Sequence, residues 1–412
     1  MIMKNVVITG IGAVTPLGND MRATWDGLTK GRSGVGAITR FDPEGLPSRI
    51  AGELRGFDPL RYLTRKEVIR LDPFVLYAAS AAIMAADDAG LIHQGAVHDP
   101  WRAGVVIGSG RGGITSMEKA LEGHLLRRKP FSAYLMSAST INMAASFISM
   151  KMGIRGPVLG IATACASGTH AVGEAFRMIR NGAIDAAVAG GTEAPLCRLA
   201  VAGYGSSGAL SGRNEDPERA SRPFDRGRDG FVIAEGACVL VLEEQDRALS
   251  RGARIYAELS GYGATSDAAH QTRPDSRGEA AAIRKALDDA GIGTDEIDYI
   301  NAHGTSTPLG DTAEAQALQQ VFGRRAGEIP VSSCKSMMGH MLGAAGAAEA
   351  AATALSLCHG IIPPTINLED PDPGCPLNVG KAAVKKQIRC ALTNSFGFGG
   401  VNAVLALRKF MA

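Results

Sequence analysis

One cysteine, two histidines and one lysine stand in settings suited to nucleophilic chemistry. Cys165 lies in Ile161-Ala-Thr-Ala-Cys-Ala-Ser-Gly168, after an apolar run and ahead of a helical one. A thiol at a helix N-terminus feels the positive end of the helix dipole, which favours thiolate and lowers its pKa from about 8.5. Free backbone N–H groups at the same turn could hold a developing oxyanion. The competing reading is a buried structural cysteine at a tight turn. His303 lies in Asn301-Ala-His-Gly-Thr-Ser-Thr-Pro-Leu-Gly-Asp311, where Gly304 forces a turn and Thr305 and Thr307 offer hydroxyls. A packed or capping histidine fits that segment as well. His340 lies in Ser332-Ser-Cys-Lys-Ser-Met-Met-Gly-His-Met-Leu-Gly-Ala-Ala-Gly346. Lys335, on the same apolar stretch, needs a partner if buried, and Glu349 is the candidate. A purely structural ion pair satisfies the same residues.

Two glycine-rich segments are less specific. Asn394-Ser-Phe-Gly-Phe-Gly-Gly-Val-Asn402 carries two aromatics but neither a lysine nor a following helix, so a flexible gate or a close backbone approach fits better than a phosphate cradle. Gly108-Ser-Gly-Arg-Gly-Gly113 resembles a dinucleotide-binding turn only superficially, because its spacing is incomplete.

The elements that must position these residues alternate between strand and helix. Strands are expected at Val6–Thr9, ended by Gly10 and Gly12, and at Ala103–Ile107, Val158–Ala164, Ala186–Ala189 and Ala237–Leu242. Helices are expected at Met21–Lys30, Pro73–Ala89 and Ser167–Arg180. Ser211–Gly230 reads as a long polar loop. The order then begins again, with strands at Ile255–Gly261, Ile297–Asn301, Val331–Ser333 and Ala403–Leu407 and helices at Glu279–Ala290, Thr312–Val321 and Gly343–Cys358. This predicts α/β layers. A duplication is expected, with halves at residues 1–253 and 254–412.

Composition narrows the function. The 412 residues are 45% hydrophobic and 20% charged, and the formal net charge of +2 excludes the global basic field of a nucleic-acid binder. Seven cysteines with no Cys-x-x-Cys pair disfavour a disulfide framework or a zinc site, and fit a reducing cytoplasm. No signal peptide is expected at the start, and no apolar run reaches membrane-spanning length.

In combination these segments resemble the β-ketoacyl-acyl-carrier-protein synthases, and most closely the type II elongating condensing enzymes of fatty-acid synthesis. The likeness runs from Val-Ile-Thr-Gly-Ile-Gly at the start to Asn-Ser-Phe-Gly-Phe-Gly-Gly near the end, and Ser221-Arg-Pro-Phe-Asp…Arg-Asp-Gly-Phe231 adds to it. It implies a thiolase-type duplicated fold, five-layered α-β-α-β-α, in a homodimer. It implies decarboxylative Claisen condensation with no cofactor and no metal. Cys165 would carry the acyl chain as a thioester, with the N–H groups of Cys165 and Phe398 as oxyanion hole. His303 and His340 would donate to the malonyl thioester oxygen, and Lys335 with Glu349 would hold them. Thr305 and Thr307 would bind the pantetheine arm, while Phe396 and Phe398 would gate the acyl pocket. Acidic acyl carrier protein is the expected partner, docking on two basic clusters: Arg61, Arg65, Lys66 and Arg70, and Arg127, Arg128 and Lys129.

The sequence departs from the family at several positions. Arg111 replaces an apolar or small residue of the acyl pocket, so it either shortens the pocket or turns away. Cys334 and Met338 replace threonines, Gly208 replaces an arginine, and Val401 a threonine. These leave a specialised polyketide or polyene pathway as the rival within the family, and a non-catalytic chain-length subunit as a remote one. A thiolase would need a second catalytic cysteine, and Cys375 and Cys390 lack the glycine-rich setting for it. An NAD-dependent enzyme is the most distant reading.

Overall fold

The computed structural model describes residues 3–93 and 96–411. Eleven strands form one continuous mixed sheet. In chain order they are β1 (Val6–Val14), β2 (Ala103–Gly108), β3 (Val158–Ile161), β4 (Ala186–Glu193), β5 (Gly236–Glu244), β6 (Ala257–Ser266), β7 (Tyr299–Asn301), β8 (Pro330–Ser332), β9 (Asn378–Val379), β10 (Cys390–Gly397) and β11 (Val401–Arg408). Their order across the sheet is β9-β8-β7-β10-β11-β6-β1-β5-β4-β2-β3.

The sheet is two similar halves joined where β1 and β6 pair antiparallel, Val6 opposite Leu259. On one side β1 pairs β5 antiparallel, β5 pairs β4 antiparallel, and β4-β2-β3 continue in parallel. On the other, β6 pairs β11 antiparallel, β11 pairs β10 antiparallel, and β10-β7-β8 continue in parallel.

Helices cover both faces. The principal ones are α1 (Pro73–Ala89), α2 (Ile114–Arg127), α3 (Met143–Met152), α4 (Ser167–Arg180), α5 (Ser276–Ala290), α6 (Pro308–Phe322) and α7 (Ala345–His359). One apolar core, holding Val172, Phe176, Ala347 and Ala351, places α4 and α7 between the two half-sheets. A second packs α1 and α3 on the outer face of the first half, and a third packs α5 and α6 on the outer face of the second. The layers are therefore α-β-α-β-α, as the resemblance implies.

Most elements fall where the sequence places them. Pro73–Ala89 begins at Pro73 behind the Asp72 cap and stops at Gly90, which is left-handed at φ 59°. The main correction is β1, which runs through Gly10 and Gly12 instead of ending there. A Cβ on Gly12 would lie 2.0 Å from the carbonyl oxygen of Ala81, so the glycine serves helix packing, not chain reversal. A register shift between Ile8 and Gly10 lets the strand bend around that helix. The segment read as a flexible gate or a close backbone approach shows the close approach, since a Cβ on Gly397 would lie 3.3 Å from the backbone nitrogen of Cys165. Asn394–Gly397 is the buried end of β10, and only residues 398–400 form a turn before β11.

Candidate active site

Cys165 sits in a single 3₁₀ turn, Ala164–Ala166, between β3 and α4. Ala164 is held at φ 48°, a left-handed conformation that costs a non-glycine residue energy. His340 occupies the matching place in the second half, between β8 and α7, and His303 follows β7. Cys165, His303, His340, Thr305, Thr307, Phe396 and Phe398 all line one cavity of about 350 Å³. The rings of His303 and His340 stand edge to face, 5.5 Å between centroids, and Phe396 lies 5.9 Å from His303.

The hydrogen bonds set both imidazole tautomers. Lys335 Nζ lies 3.3 Å from His303 Nδ1. An ammonium has only protons to offer, so Nδ1 accepts and the ring proton sits on Nε2. The backbone N–H of Leu342 donates to His340 Nδ1 at 3.3 Å, which again leaves the proton on Nε2. That Nε2 is buried with no partner among the described residues, a free donor waiting for an acceptor. Burial, then the Lys335 charge, holds both histidines well below the usual imidazole range, and His340 adds to the effect on His303. Both rings are therefore neutral donors.

Lys335 is fully buried, and its Nζ bonds Glu349 Oε1 at 2.5 Å. Burial lifts the Glu349 carboxyl to about 7 against the pull of Lys335. The expected Lys335–Glu349 pairing is thus present, and it touches a histidine.

The thiol differs from expectation. Burial pushes Cys165 up to about 11, although Lys335 and a hydrogen bond from the Phe398 backbone N–H act in the opposite direction. The helix-dipole effect on a surface thiol does not survive desolvation here, so the resting group is a thiol.

Several groups that matter here were invisible in the sequence reading. Glu193, the last residue of β4, is fully buried and binds Ser109 Oγ at 3.0 Å and the N–H groups of Gly110 (2.7 Å), Arg111 (2.9 Å) and Gly343 (2.9 Å). It ties the turn after β2 to the turn before α7, on either side of Cys165. Glu314 accepts from the N–H of His303 (2.8 Å), the N–H of Gly304 (2.7 Å) and Asn394 Nδ2 (3.0 Å), fixing the His303 turn. The one signal available was a charge at the end of an apolar run. Gly343 must be glycine, since a Cβ there would lie 2.6 Å from the backbone nitrogen of Gly110.

Arg111 turns out of the cavity. It is exposed, its Nε donates to the Tyr204 hydroxyl at 2.9 Å, and its guanidinium lies 5.1 Å over the Tyr204 ring. Tyr204, not Arg111, lines the cavity. Thr305 and Thr307 share a hydroxyl hydrogen bond of 2.9 Å. Lys66, Arg70, Arg127 and Arg128 are exposed and do not line the cavity. Arg70 stacks on Tyr134, 4.6 Å from its centroid. Among the described residues no three His, Cys, Asp or Glu side chains are arranged to hold a metal ion, and no helix is long and apolar enough to cross a membrane. All seven cysteines are free.

A thiol on a helix N-terminus, facing two neutral imidazoles across a cavity between duplicated halves, defines a condensing enzyme, and the chain belongs to the β-ketoacyl synthase family. The family's N-terminal domain matches residues 3–248 and its C-terminal domain residues 256–369. The chain is 46% identical to a 3-oxoacyl-[acyl-carrier-protein] synthase 2 from Synechocystis sp., over 99% of this chain and 98% of that one. It is similar in structure to the ishigamide ketosynthase/chain length factor, with a TM-score of 0.93 and 39% identity over 99% of this chain and 100% of that one. It is also similar to a ketosynthase solved with its type II polyketide acyl-carrier protein and bound to the hexaketide (TM-score 0.91, 35% identity, 99% and 100% covered).

Proposed function

We propose that this chain joins an acyl group to malonyl-acyl-carrier protein with loss of carbon dioxide, giving a 3-oxoacyl product in fatty-acid chain elongation. The free, buried Nε2 of His340, with the neutral ring of His303 edge to face 5.5 Å away, carries the reading. Two neutral donors converging on one point stabilise negative charge on a carbonyl oxygen, which is what decarboxylation of a malonyl thioester builds.

The first stage is thioester exchange. Cys165 sulfur attacks the acyl carbonyl, the oxyanion is held by the N–H groups of Cys165 and Phe398, and the pantetheine sulfur leaves with the thiol proton. In the second stage the malonyl thioester oxygen accepts from His303 and His340. The carboxylate leaves as carbon dioxide, and the enolate carbon attacks the acyl-Cys165 carbonyl. Collapse of that intermediate expels the Cys165 thiolate, which is reprotonated. Lys335 and Glu349 hold the His303 tautomer and take no proton from substrate.

Relatives of 46% identity favour elongation over the polyketide alternative, and the presence of Cys165 speaks against a non-catalytic subunit. Carrier protein is the proposed partner, docking on Lys66, Arg70, Arg127 and Arg128. The functional halves are residues 1–253 and 254–412, and the proposed location is the cytoplasm. A homodimer is supported by β3, the outermost strand of the sheet, and by Met117, Leu121, Leu125 and Leu126 exposed on α2. Uncovered edges and apolar surfaces of this kind are expected to be buried against a second copy.

Intact-mass spectrometry after mixing with acyl-carrier proteins of increasing chain length tests the reading. One acyl adduct per chain that vanishes in Cys165→Ala is expected. No adduct from any acyl donor would overturn it.

A further inference from the structure

Glu279 has no part in the chemistry above, yet its carboxyl is placed at a cost. It lies on the first turn of α5, is 1% exposed, and lines the same cavity as Cys165. Its Oε2 is buried with no hydrogen-bond partner among the described residues, and no basic side chain there pairs with it. An unpaired buried polar atom is unfavourable, and an apolar side chain at the same place would avoid the penalty.

The charged groups that act most strongly on it are acids, while exposed Arg273 and buried His303 line the same cavity. Glu314 and Asp311 stand on α6, Asp267 follows β6, and Asp275 caps α5. Burial first, then these four, holds the Glu279 carboxyl well above the usual range. The neutral form is favoured, and a neutral acid offers one O–H donor and one carbonyl acceptor. The cavity it faces is lined also by exposed Arg273 and Leu309 and by Cys165. Thr305 and Thr307 supply further uncharged polar atoms to the same walls.

We propose that Glu279 is a substrate-binding residue whose neutral carboxyl donates a hydrogen bond to an amide carbonyl of the pantetheine arm. This rests on the reading of the cavity as the site of a carrier-borne thioester. Between its phosphate and its sulfur the arm carries amides and no charge, so its partners are neutral donors and acceptors. A carboxylate could accept from an amide N–H but would repel the carbonyl; the protonated acid matches it.

The test is acylation of Cys165 in the full chain by two donors: an acyl-pantetheine, and an acyl ethanethiol thioester that has no amide. Glu279→Ala should raise KM for the pantetheine donor between about twofold and about tenfold, with kcat held, and leave the ethanethiol donor unaffected. Protonated Glu279 donates and ionised Glu279 does not. The wild-type KM for the pantetheine donor should therefore be low below the raised pKa and climb as pH rises through it. Glu279→Gln keeps an N–H donor at every pH, so its KM should lose that climb. Wild-type KM for both donors in Glu279→Ala overturns the proposal and leaves the condensing reaction standing. Equal loss with both donors also overturns it, because the residue is then structural. A wild-type chain that neither donor acylates overturns the proposal and the reading beneath it.

Discussion

Lys335→Met removes one charge from the centre of the site while keeping side-chain length, and its consequences separate by half-reaction. The ammonium touches Glu349 at 2.5 Å and His303 at 3.3 Å. Breaking a buried pair from one side costs about 3–5 kcal/mol. For a chain of this length that lowers Tm by about 4–6 °C, taking about 2 cal/mol/K of unfolding entropy per residue. The loss has a pH sign. Glu349 has a folded pKa of about 7, above its unfolded value, so the folded state binds the extra proton. Without Lys335 that pKa rises further. The Tm gap between variant and wild type should widen as pH is raised from about 5 to about 9. Freed tautomers alone would cost activity only about twofold, since the two imidazole forms then lie within about RT of each other. Loss of the cation's field on the Cys165 sulfur and on the His303 donor adds to this, so both acylation and decarboxylation should fall at least about tenfold. The assay is the rate of acyl-Cys165 formation by mass, beside carbon dioxide release from the malonyl thioester. Lys335→Met/Glu349→Leu, which removes the orphaned acid, should regain stability but not rate. Recovery of rate in the double variant would refute the functional role of Lys335 and reduce the pair to a structural one.

Glu193→Gln turns an amide donor toward N–H donors and leaves at least one of them unmet, so Tm should drop by about 1–4 °C and Cys165 acylation should slow. Unchanged calorimetry would remove Glu193 as the tie between the two turns. Arg111→Leu and Tyr204→Phe each break the hydrogen bond between these side chains; both should broaden the acyl lengths seen as Cys165 adducts, and identical adduct profiles would show the pair irrelevant to the pocket. Reversing charge at Lys66 and Arg70 should weaken carrier-protein affinity at low salt and flatten its salt dependence, read by titration calorimetry. An unchanged salt-sensitive affinity sinks that docking site.

The candidate site was legible because Cys165, His303, Lys335 and His340 each sit in short glycine- or alanine-bearing segments that follow a strand. The layers were legible because apolar runs and glycine stops alternate regularly. Strand ends were less so: β1 crosses Gly10 and Gly12 because the helix above needs their missing side chains, a tertiary reason that no local pattern contains. The thiol's ionisation was misjudged for the same kind of reason. The helix terminus is visible in sequence, but the burial that outweighs it comes from residues distant in the chain, Phe231 and Leu342 among them. Glu193, Glu314 and Glu279 read as ordinary acids at element ends, and only their shared enclosure gives them roles.

The central helices α4 and α7 have a kinetic consequence. Walled by both half-sheets, their amides should exchange with solvent deuterium only when the whole molecule opens. The 398–400 turn, with Phe398 37% exposed, needs no such event. Cys165 and His340 thus stand just ahead of these slowly exchanging helices while Phe398 rides on an exposed turn, and that turn can move without loosening the helices that anchor the proposed nucleophile and histidine.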